Sequence, residues 1–444
     1  MLLESVPSTF NSQGALHSAF GVLGGRFRRQ EVKGRCKWKT LRSGSSEARA
    51  ISRIRVVAII AVISISAVVG LLFAYTRNQL PSCGQNHTFF SVLPVSQNET
   101  KSLVPLGQVT PPDHVFPAPH NYIYIIDPQN PQNKHASVYS PGDLTLVQLG
   151  IRHYNVFGNV TNFIDYTLVF QPCSEFSMYF HHVTTLSYAP FVKAAQQIIQ
   201  TCHFSTTINE DFCSGEVNIP IKAGDLIGTA GDLAAGAFGM DIGARDSRLQ
   251  TGKSALIDSS KACLLGRCYT VCAFDYFTAE IRNRLRFTDP FGTVTRTQQP
   301  TCGTVYHDVA GSLQGYWYNS TNAHSLISPE AEFLFLGPDS IEPSMQIVSI
   351  GVGASTISPG KYLFQPTNSG LVNLNLSMAT RGGTVYCYET TMQPGASYGA
   401  LNSQISVILI QLVNSNTARI EKINSNSCGN GPWQLDSSYT DFVR

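Results

Sequence analysis

Residues 120–127 read HNYIYIID and residues 144–158 read LTLVQLGIRHYNVFG. Both stretches are dominated by β-branched and aromatic residues, which is typical of β-strands. Outward from them, the same composition recurs at residues 165–170 and 177–184. The sequence therefore predicts a mainly β fold.

An amphipathic helix follows these strands. Pro190 suits a first helical turn, and apolar residues continue from it at helical spacing as far as Cys202. A second short helix is predicted over residues 278–286. Further strands are predicted near the C-terminus at residues 372–378, 384–391, 406–412 and 418–423. The last two are expected to form a hairpin, so the chain should end in an antiparallel β domain.

Charge is distributed unevenly along the 444 residues. Charged residues make up only 14% and apolar residues 43%, so the composition is that of a folded protein. Met1 to Arg55 contains eleven Lys and Arg against three Asp and Glu, whereas the rest contains 20 against 26. The N-terminal segment is basic and the rest of the chain is mildly acidic, so the main part of the chain lacks the basic stripe of nucleic-acid-binding proteins. We therefore expect no nucleic-acid partner.

A membrane span is predicted between the two parts. Residues 56–75 read VVAIIAVISISAVVGLLFAY, twenty residues without a charge, and about 20 apolar residues in a helix cross a hydrocarbon core of ~30 Å. Arg53 and Arg55 precede the span and Arg77 alone follows it. Because Lys and Arg stay on the cytoplasmic side, we expect a single-pass type II signal-anchor protein of the cell membrane. Its N-terminus would be cytoplasmic and its body extracytoplasmic; an organellar transit peptide is the alternative.

Cysteines and glycosylation sequons agree with export. Ten of the 11 cysteines follow the span, and this even number predicts up to five disulfides. They are Cys83, Cys173, Cys202, Cys213, Cys263, Cys268, Cys272, Cys302, Cys387 and Cys428. Among them Cys263, Cys268 and Cys272 also suggest zinc, although their spacing lacks the paired pattern of zinc knuckles. The sequons, which all follow the span, are Asn86, Asn98, Asn159, Asn319 and Asn375.

Three further segments carry recognisable patterns. They are VYSPGDLTLV (138–147), YFHHV (179–183), and IPIKAGDLIGTAG (219–231) followed by MDIGA (240–244). In this order they resemble the M23 (lysostaphin-type) metallopeptidase family over about residues 112–250, roughly a third of the chain. The resemblance implies a barrel-like β sandwich.

The expected organisation has six segments: a basic cytoplasmic tail (1–55), a transmembrane helix (56–75), a stalk or linker (76–112), an M23-like β domain (113–262), a Cys-bearing connector with short helices (263–328) and a C-terminal antiparallel β domain (329–444).

The resemblance also implies a zinc site, with altered residues. The family binds zinc through a His-x3-Asp pair and the second His of His-x-His, and it uses the first His of that motif and the His of Tyr-x-His in catalysis. The corresponding positions hold His120 and Tyr124, then Gly239 and Asp241, and for Tyr-x-His either His181 or His182. One ligand is kept, one is lost and one becomes Asp.

Two hypotheses follow for these residues. His114, His120 and Asp241 would make a His₂-carboxylate zinc site, with His182 or His181 as the acid–base. In the other hypothesis the histidines only pack and hydrogen-bond, and no cofactor binds. We expect the hypothesis without a cofactor to hold; zinc is the cofactor that the other hypothesis would require.

The expected function is therefore binding. A degenerate, non-catalytic M23-like domain would bind a cell-envelope or extracellular polymer, peptide or partner protein. One alternative is a zinc metallopeptidase or other hydrolase with a rewired His/His/Asp site. Another is a viral type II attachment glycoprotein, which would have an oligomeric stalk and a propeller-type head. The sequence leaves the ligand, the oligomeric state and the disulfide pairing open.

Overall fold

The computed structural model describes residues 80–126, 135–157, 160–205, 210–231, 239–249, 254–321, 330–393 and 405–444. The predicted cytoplasmic tail and transmembrane helix lie outside these ranges. Within them, no helix has the length and apolar character needed to cross a membrane. The described residues are mainly β, which confirms the predicted class.

The first group of strands builds a sheet. Its members are β1 Thr100–Val104, β2 Asn121–Ile125, β3 His135–Tyr139, β4 Leu144–Phe157, β5 Val160–Cys173, β6 Phe176–Leu186, β7 Glu210–Ile221, β8 Leu226–Gly231, β9 Gly239–Asp246 and β10 Thr270–Val271. The main order is β1-β2-β9-β6-β5-β4-β7, with β10 beside β9, and β8 between β6 and β3. Because β9 lies between β2 and β6, residues far apart in sequence become neighbours at the centre of the sheet.

Three short helices accompany the sheet: α1 Ala189–Ile199, α2 Ser259–Leu264 and α3 Ala279–Arg284. The predicted helix after Pro190 is confirmed as α1, and the predicted helix over 278–286 as α3. The buried side of α1 carries Phe191, Ala194, Ala195 and Ile198. Gly215 on β7 allows Ile198 to pack closely, since a Cβ there would lie 2.8 Å from the Cγ1 of Ile198.

Five disulfides confirm the prediction from the even cysteine number. The pairs are Cys83–Cys173, Cys202–Cys213, Cys263–Cys268, Cys272–Cys302 and Cys387–Cys428. Cys263, Cys268 and Cys272 are therefore oxidised, and the zinc hypothesis for them is wrong. Cross-links of this kind stabilise a folded protein mainly by restricting its unfolded chain.

The residues expected to form a stalk instead belong to the body from Cys83 onward. Phe90 and Val95 are buried in the core of the sheet domain. Strand β1 adds to β2, and Cys83 is bonded to the end of β5. Apolar residues spaced irregularly along a Pro- and Ser-containing segment gave no periodic signal, yet they are buried by packing on the sheet.

The second group of strands closes into an antiparallel barrel. It consists of β11 Gly315–Asn319, β12 Leu334–Pro338, β13 Gln346–Ile350, β14 Gly360–Phe364, β15 Val385–Gln393, β16 Ile405–Asn414, β17 Thr417–Ile423 and β18 Thr440–Val443. Side chains such as Trp317, Tyr362 and Tyr388 form its core, as expected for eight strands. A sheet and a barrel differ from the propeller head that the attachment-glycoprotein alternative requires.

Two details of this region differ from the sequence expectation. The barrel begins at β11, inside the segment assigned to the connector. Residues 372–378 do not form the predicted strand: Asn373 has a φ of 52°, and Leu376–Met378 is a 3-10 turn. Leu374 and Leu376 are buried as the alternation predicted, so burial followed the pattern while the backbone did not. The predicted hairpin of β16 and β17 is confirmed.

An aromatic cluster joins the sheet domain to the outside of the barrel. Phe116 packs against Tyr316, Tyr318 and Phe333, with ring centroids 4.8–5.4 Å apart. Beside it, Nη2 of the buried Arg267 bonds both carboxylate oxygens of Glu330 at 3.0 Å. This packing fixes the chain just before His120.

Candidate functional site

Asp241 lies at the centre of the sheet, where three strands meet. On β9 it stands opposite Tyr122 of β2 on one side and His181 of β6 on the other. The side chain is largely buried, at 7% exposure for the residue. A buried carboxylate needs partners, because an unpaired charge inside a protein is very costly.

Three imidazole rings surround this carboxylate. The Oδ2 atom of Asp241 lies 3.6 Å from Nε2 of His120, 3.7 Å from Nδ1 of His181 and 3.5 Å from Nε2 of His182. The structure thus brings together four of the five site residues predicted from the sequence. The fifth, His114, lies behind His120 with their ring centroids 5.4 Å apart.

A β-bulge places two consecutive histidines on one side of the sheet. Neighbours in a regular strand point to opposite faces. The register between β5 and β6 shifts just here, and His182 has a φ of 64°. An extra residue in one strand re-aims side chains in this way. A non-glycine residue in the left-handed region costs about 1–3 kcal/mol, and such strain is concentrated at functional sites.

Asp165 is a site residue that the sequence reasoning missed. Its Oδ2 atom accepts a hydrogen bond from Nδ1 of His182 at 2.7 Å, and it is 1% exposed. On β4, Arg152 stands directly opposite it. The signal in the sequence was the single charged residue among residues 160–170, which read VTNFIDYTLVF.

The charges of the cluster follow from burial and from these neighbours. Burial is the main cause that lowers the pKa of His120 to about 3, and burial likewise lowers the pKa of His181. Burial also opposes the charging of His182, but Asp241 and Asp165 outweigh it and raise its pKa. For Asp241, burial opposes ionisation and the three histidines outweigh it, so its pKa is lowered. At neutral pH the lowered pKa values of His120 and His181 favour their neutral forms, and the lowered pKa of Asp241 favours its ionised form.

Several polar atoms of the cluster have no hydrogen-bond partner in the described structure. They include Nε2 of His120, Nδ1 of His114, the Tyr122 hydroxyl and Oδ1 of Asp165. Buried polar groups are nearly always paired, so unpaired ones point to an ordered water, an ion or a functional role. Neutral imidazole nitrogens with a carboxylate form a donor set that zinc accepts.

The spacing partly fits a metal. Two ligands of a tetrahedral zinc lie about 3.3 Å apart at Zn–N distances of 2.0–2.1 Å, close to the nitrogen–oxygen distances at Asp241. The histidine nitrogens are more widely spread. Within the described ranges, the only groups of three ligand atoms mutually within 4.8 Å are Cys83/Cys173/Glu175 and Cys272/Asp275/Cys302. Both contain a disulfide, so neither offers a thiolate.

Two positions at which this sequence departs from the M23 pattern are neighbours in the sheet. Tyr124 and Gly239 stand opposite each other on β2 and β9. A Cβ at Gly239 would lie 2.6 Å from the carbonyl oxygen of Ile123. The backbone here leaves no room for a side chain at residue 239, so the catalytic first histidine of the M23 His-x-His motif has no counterpart at this position.

Comparisons with known proteins give no match: the chain fits no family model, no curated protein and no solved structure. The resemblance to M23 metallopeptidases therefore stays a prediction.

Proposed function

We propose that this chain is an exported hydrolase whose sheet domain binds zinc through His120, His181 and Asp241. One observation carries the proposal: a single carboxylate oxygen of Asp241 lies 3.5–3.7 Å from ring nitrogens of three histidines. This differs from the expected ligand set, because His181 takes the place assigned to His114. The domain would be M23-like in fold with a rewired site.

The remaining histidine has a different role. His182 is bonded to Asp165 through Nδ1, which leaves Nε2 directed at the cluster. A histidine held in this way is a general acid–base, since the carboxylate fixes both its orientation and its tautomer. A bound zinc would supply an activated water to this site.

The disulfides and the uncharged residues 56–75 support a location of the hydrolase outside the cytoplasm. Five disulfides cross-link the described body, and disulfides persist in oxidising compartments. The uncharged residues 56–75 would anchor the body to the membrane, with the basic residues before them cytoplasmic.

Non-catalytic binding is the second candidate, and a specific observation favours it. The nitrogens of the three histidines are too widely spread to meet at one metal without ring movement. In this case the cluster would hold Asp241 in place, and the domain would bind an envelope or extracellular polymer, peptide or partner protein.

Metal content separates the two candidates. The full-length chain, purified oxidised and without chelator, should contain about one zinc, measured by plasma mass spectrometry. Asp241→Asn should lose the metal. Asp143→Asn, which changes an exposed Asp paired only with Lys222 and the backbone of residue 223, should keep it. Zinc well below stoichiometric in a folded sample that takes up none when it is added would overturn the hydrolase proposal.

A further inference from the structure

A cleft opens beside the edge strand β1, away from the histidine cluster. It has a volume of about 200 Å³ and lies between residues 93–103 and residues 284–292. Ile123 of β2 lines it, whereas Tyr122 of the same strand belongs to the histidine side. Because adjacent residues of a strand point to opposite faces, the cleft and the candidate metal site lie on different faces of the sheet.

The floor of the cleft is apolar. Leu93, Leu103 and Leu285 are half-buried there, and Ile123 and Phe274 are buried beneath them. Half-buried leucines leave part of their surface in contact with water. A hydrocarbon chain lying on them would remove that surface from water at roughly 25 cal/mol per Å².

Three exposed cations surround this floor: Lys101, Arg284 and Arg286. None of the residues lining the cleft is acidic. Arg284 faces Glu280 at 3.5 Å on the surface of α3. Lys101 lies over the ring of Phe291 at 5.1 Å.

Arg286 is held in place without losing its charge. Its Nη1 atom donates to the carbonyl oxygens of Asn283 and Leu285, at 3.1 and 2.8 Å. Carbonyl oxygens position the guanidinium but do not neutralise it. No carboxylate pairs with Lys101 or Arg286 in the part of the chain that the structure describes. Lys101 and Arg286 therefore give the rim of the cleft a positive potential above its apolar floor.

We propose that this cleft binds a small amphiphilic anion, with a carboxylate or phosphate head group on a short apolar chain. Arg286 and Lys101 would bind the oxygens of the head group, since guanidinium and ammonium groups donate to such oxyanions. The chain would lie on Leu93, Leu103 and Leu285. The proposal does not depend on metal binding or hydrolysis.

The test is a calorimetric titration in which octanoate, the probe, is added to the protein fragment of residues 80–444. This body contains all five disulfides and both main hydrophobic cores among its described residues, so it has what a domain needs to fold alone. Octylamine has the same chain with the opposite charge, and acetate is the head group alone. We expect one octanoate per chain, weaker at high salt, with no binding of octylamine or acetate.

The variants test the cations directly. The double variant Lys101→Gln/Arg286→Gln should weaken octanoate binding by about tenfold, which corresponds to about 1.4 kcal/mol, because both cations of the rim are lost. Arg282→Gln is the matched control, because Arg282 is exposed on α3 but does not line the cleft. Absence of octanoate binding to the wild type, equal binding of octylamine, or equal affinities for the double variant and the control would each overturn the proposal.

Discussion

The Nδ1 atom of His182 lies 2.7 Å from Oδ2 of Asp165, while its Nε2 atom lies 3.5 Å from Oδ2 of Asp241. One imidazole therefore connects two buried carboxylates on different strands, β5 and β9. Asp165 fixes the ring from behind, and Asp241 faces it across the cluster. This arrangement separates a positioning role for Asp165 from a ligand role for Asp241.

Asp165→Asn tests that separation. The amide keeps the shape of the side chain but loses the charge that orients His182, so hydrolysis should fall by up to about 10²- to 10⁴-fold, the contribution of a general acid–base. Zinc content should stay at the wild-type level, because Asp165 is not a ligand. Parallel assays of zinc and of peptide or ester cleavage would measure both, with Asp143→Asn as the control. If Asp165→Asn loses zinc as fully as Asp241→Asn does, His182 is a ligand and the assigned roles are wrong.

The left-handed backbone at His182 makes a stability prediction that is independent of metal. Glycine adopts positive φ without penalty, whereas alanine at this φ of 64° costs about 1–2 kcal/mol. His182→Gly should therefore be more stable than His182→Ala by about 1 kcal/mol, measured by urea unfolding.

The matched pair for this comparison is His153→Gly and His153→Ala, in the regular strand β4. At this position glycine should be the less stable variant by roughly 0.5–1 kcal/mol. The same order at both positions, with alanine better, would contradict the strained backbone at His182.

A buried ion pair in the barrel domain predicts acid sensitivity. Lys361 and Asp339 are 2% and 1% exposed and bonded to each other. Burial opposes ionisation of Asp339, but Lys361 and the N–H groups of Glu342 and Ile341 outweigh it and lower its pKa from 3.8. A lowered folded-state pKa adds stability above the unfolded-state pKa, and this stability is lost as the pH falls below about 4.

The pair is tested by unfolding at neutral and acidic pH. Lys361→Met should cost about 3–5 kcal/mol at neutral pH, because it leaves Asp339 buried and unpaired. Adding Asp339→Asn should recover most of this loss and flatten the acid dependence. An unchanged acid dependence in the double variant would show that other carboxylates control it.

The exposure of the asparagine side chain predicts which of the glycosylation sequons carry a glycan. Asn86 and Asn98 are exposed; Asn98 lies in a turn and Asn86 directly follows one. Asn319 is 9% exposed, its Nδ2 atom donates to the carbonyl oxygen of Gly353 at 3.3 Å, and its Oδ1 atom accepts from the N–H of Thr321. Because the glycan is attached at Nδ2, we expect glycans at Asn86 and Asn98 and none at Asn319.

Peptide mapping of the full chain, expressed through the secretory pathway of a eukaryotic host, would check this prediction. Asn86→Gln and Asn98→Gln should each remove one glycan, and Asn319→Gln should remove none. A glycan on Asn319 would mean that the modification precedes folding of β11.

Local chemistry was readable from the sequence. The β class, helix α1 and the hairpin of β16 and β17 follow from periodicity and composition, which act over a few residues. The five disulfides follow from an even number of cysteines, although their pairing did not. His120, His181, His182 and Asp241 were identified as candidate residues, but without their distances.

The tertiary structure alone decided which of these residues act together. Asp165 is part of the site, His114 lies behind His120, and the segment after Cys83 belongs to the core of the sheet domain. The physical reason is that strand order and register are set by long-range pairing, since β9 inserts between β2 and β6. A one-residue bulge then turns His182 toward its neighbours. A pattern of period two cannot reveal such an insertion, because one extra residue reverses the face of every side chain that follows it.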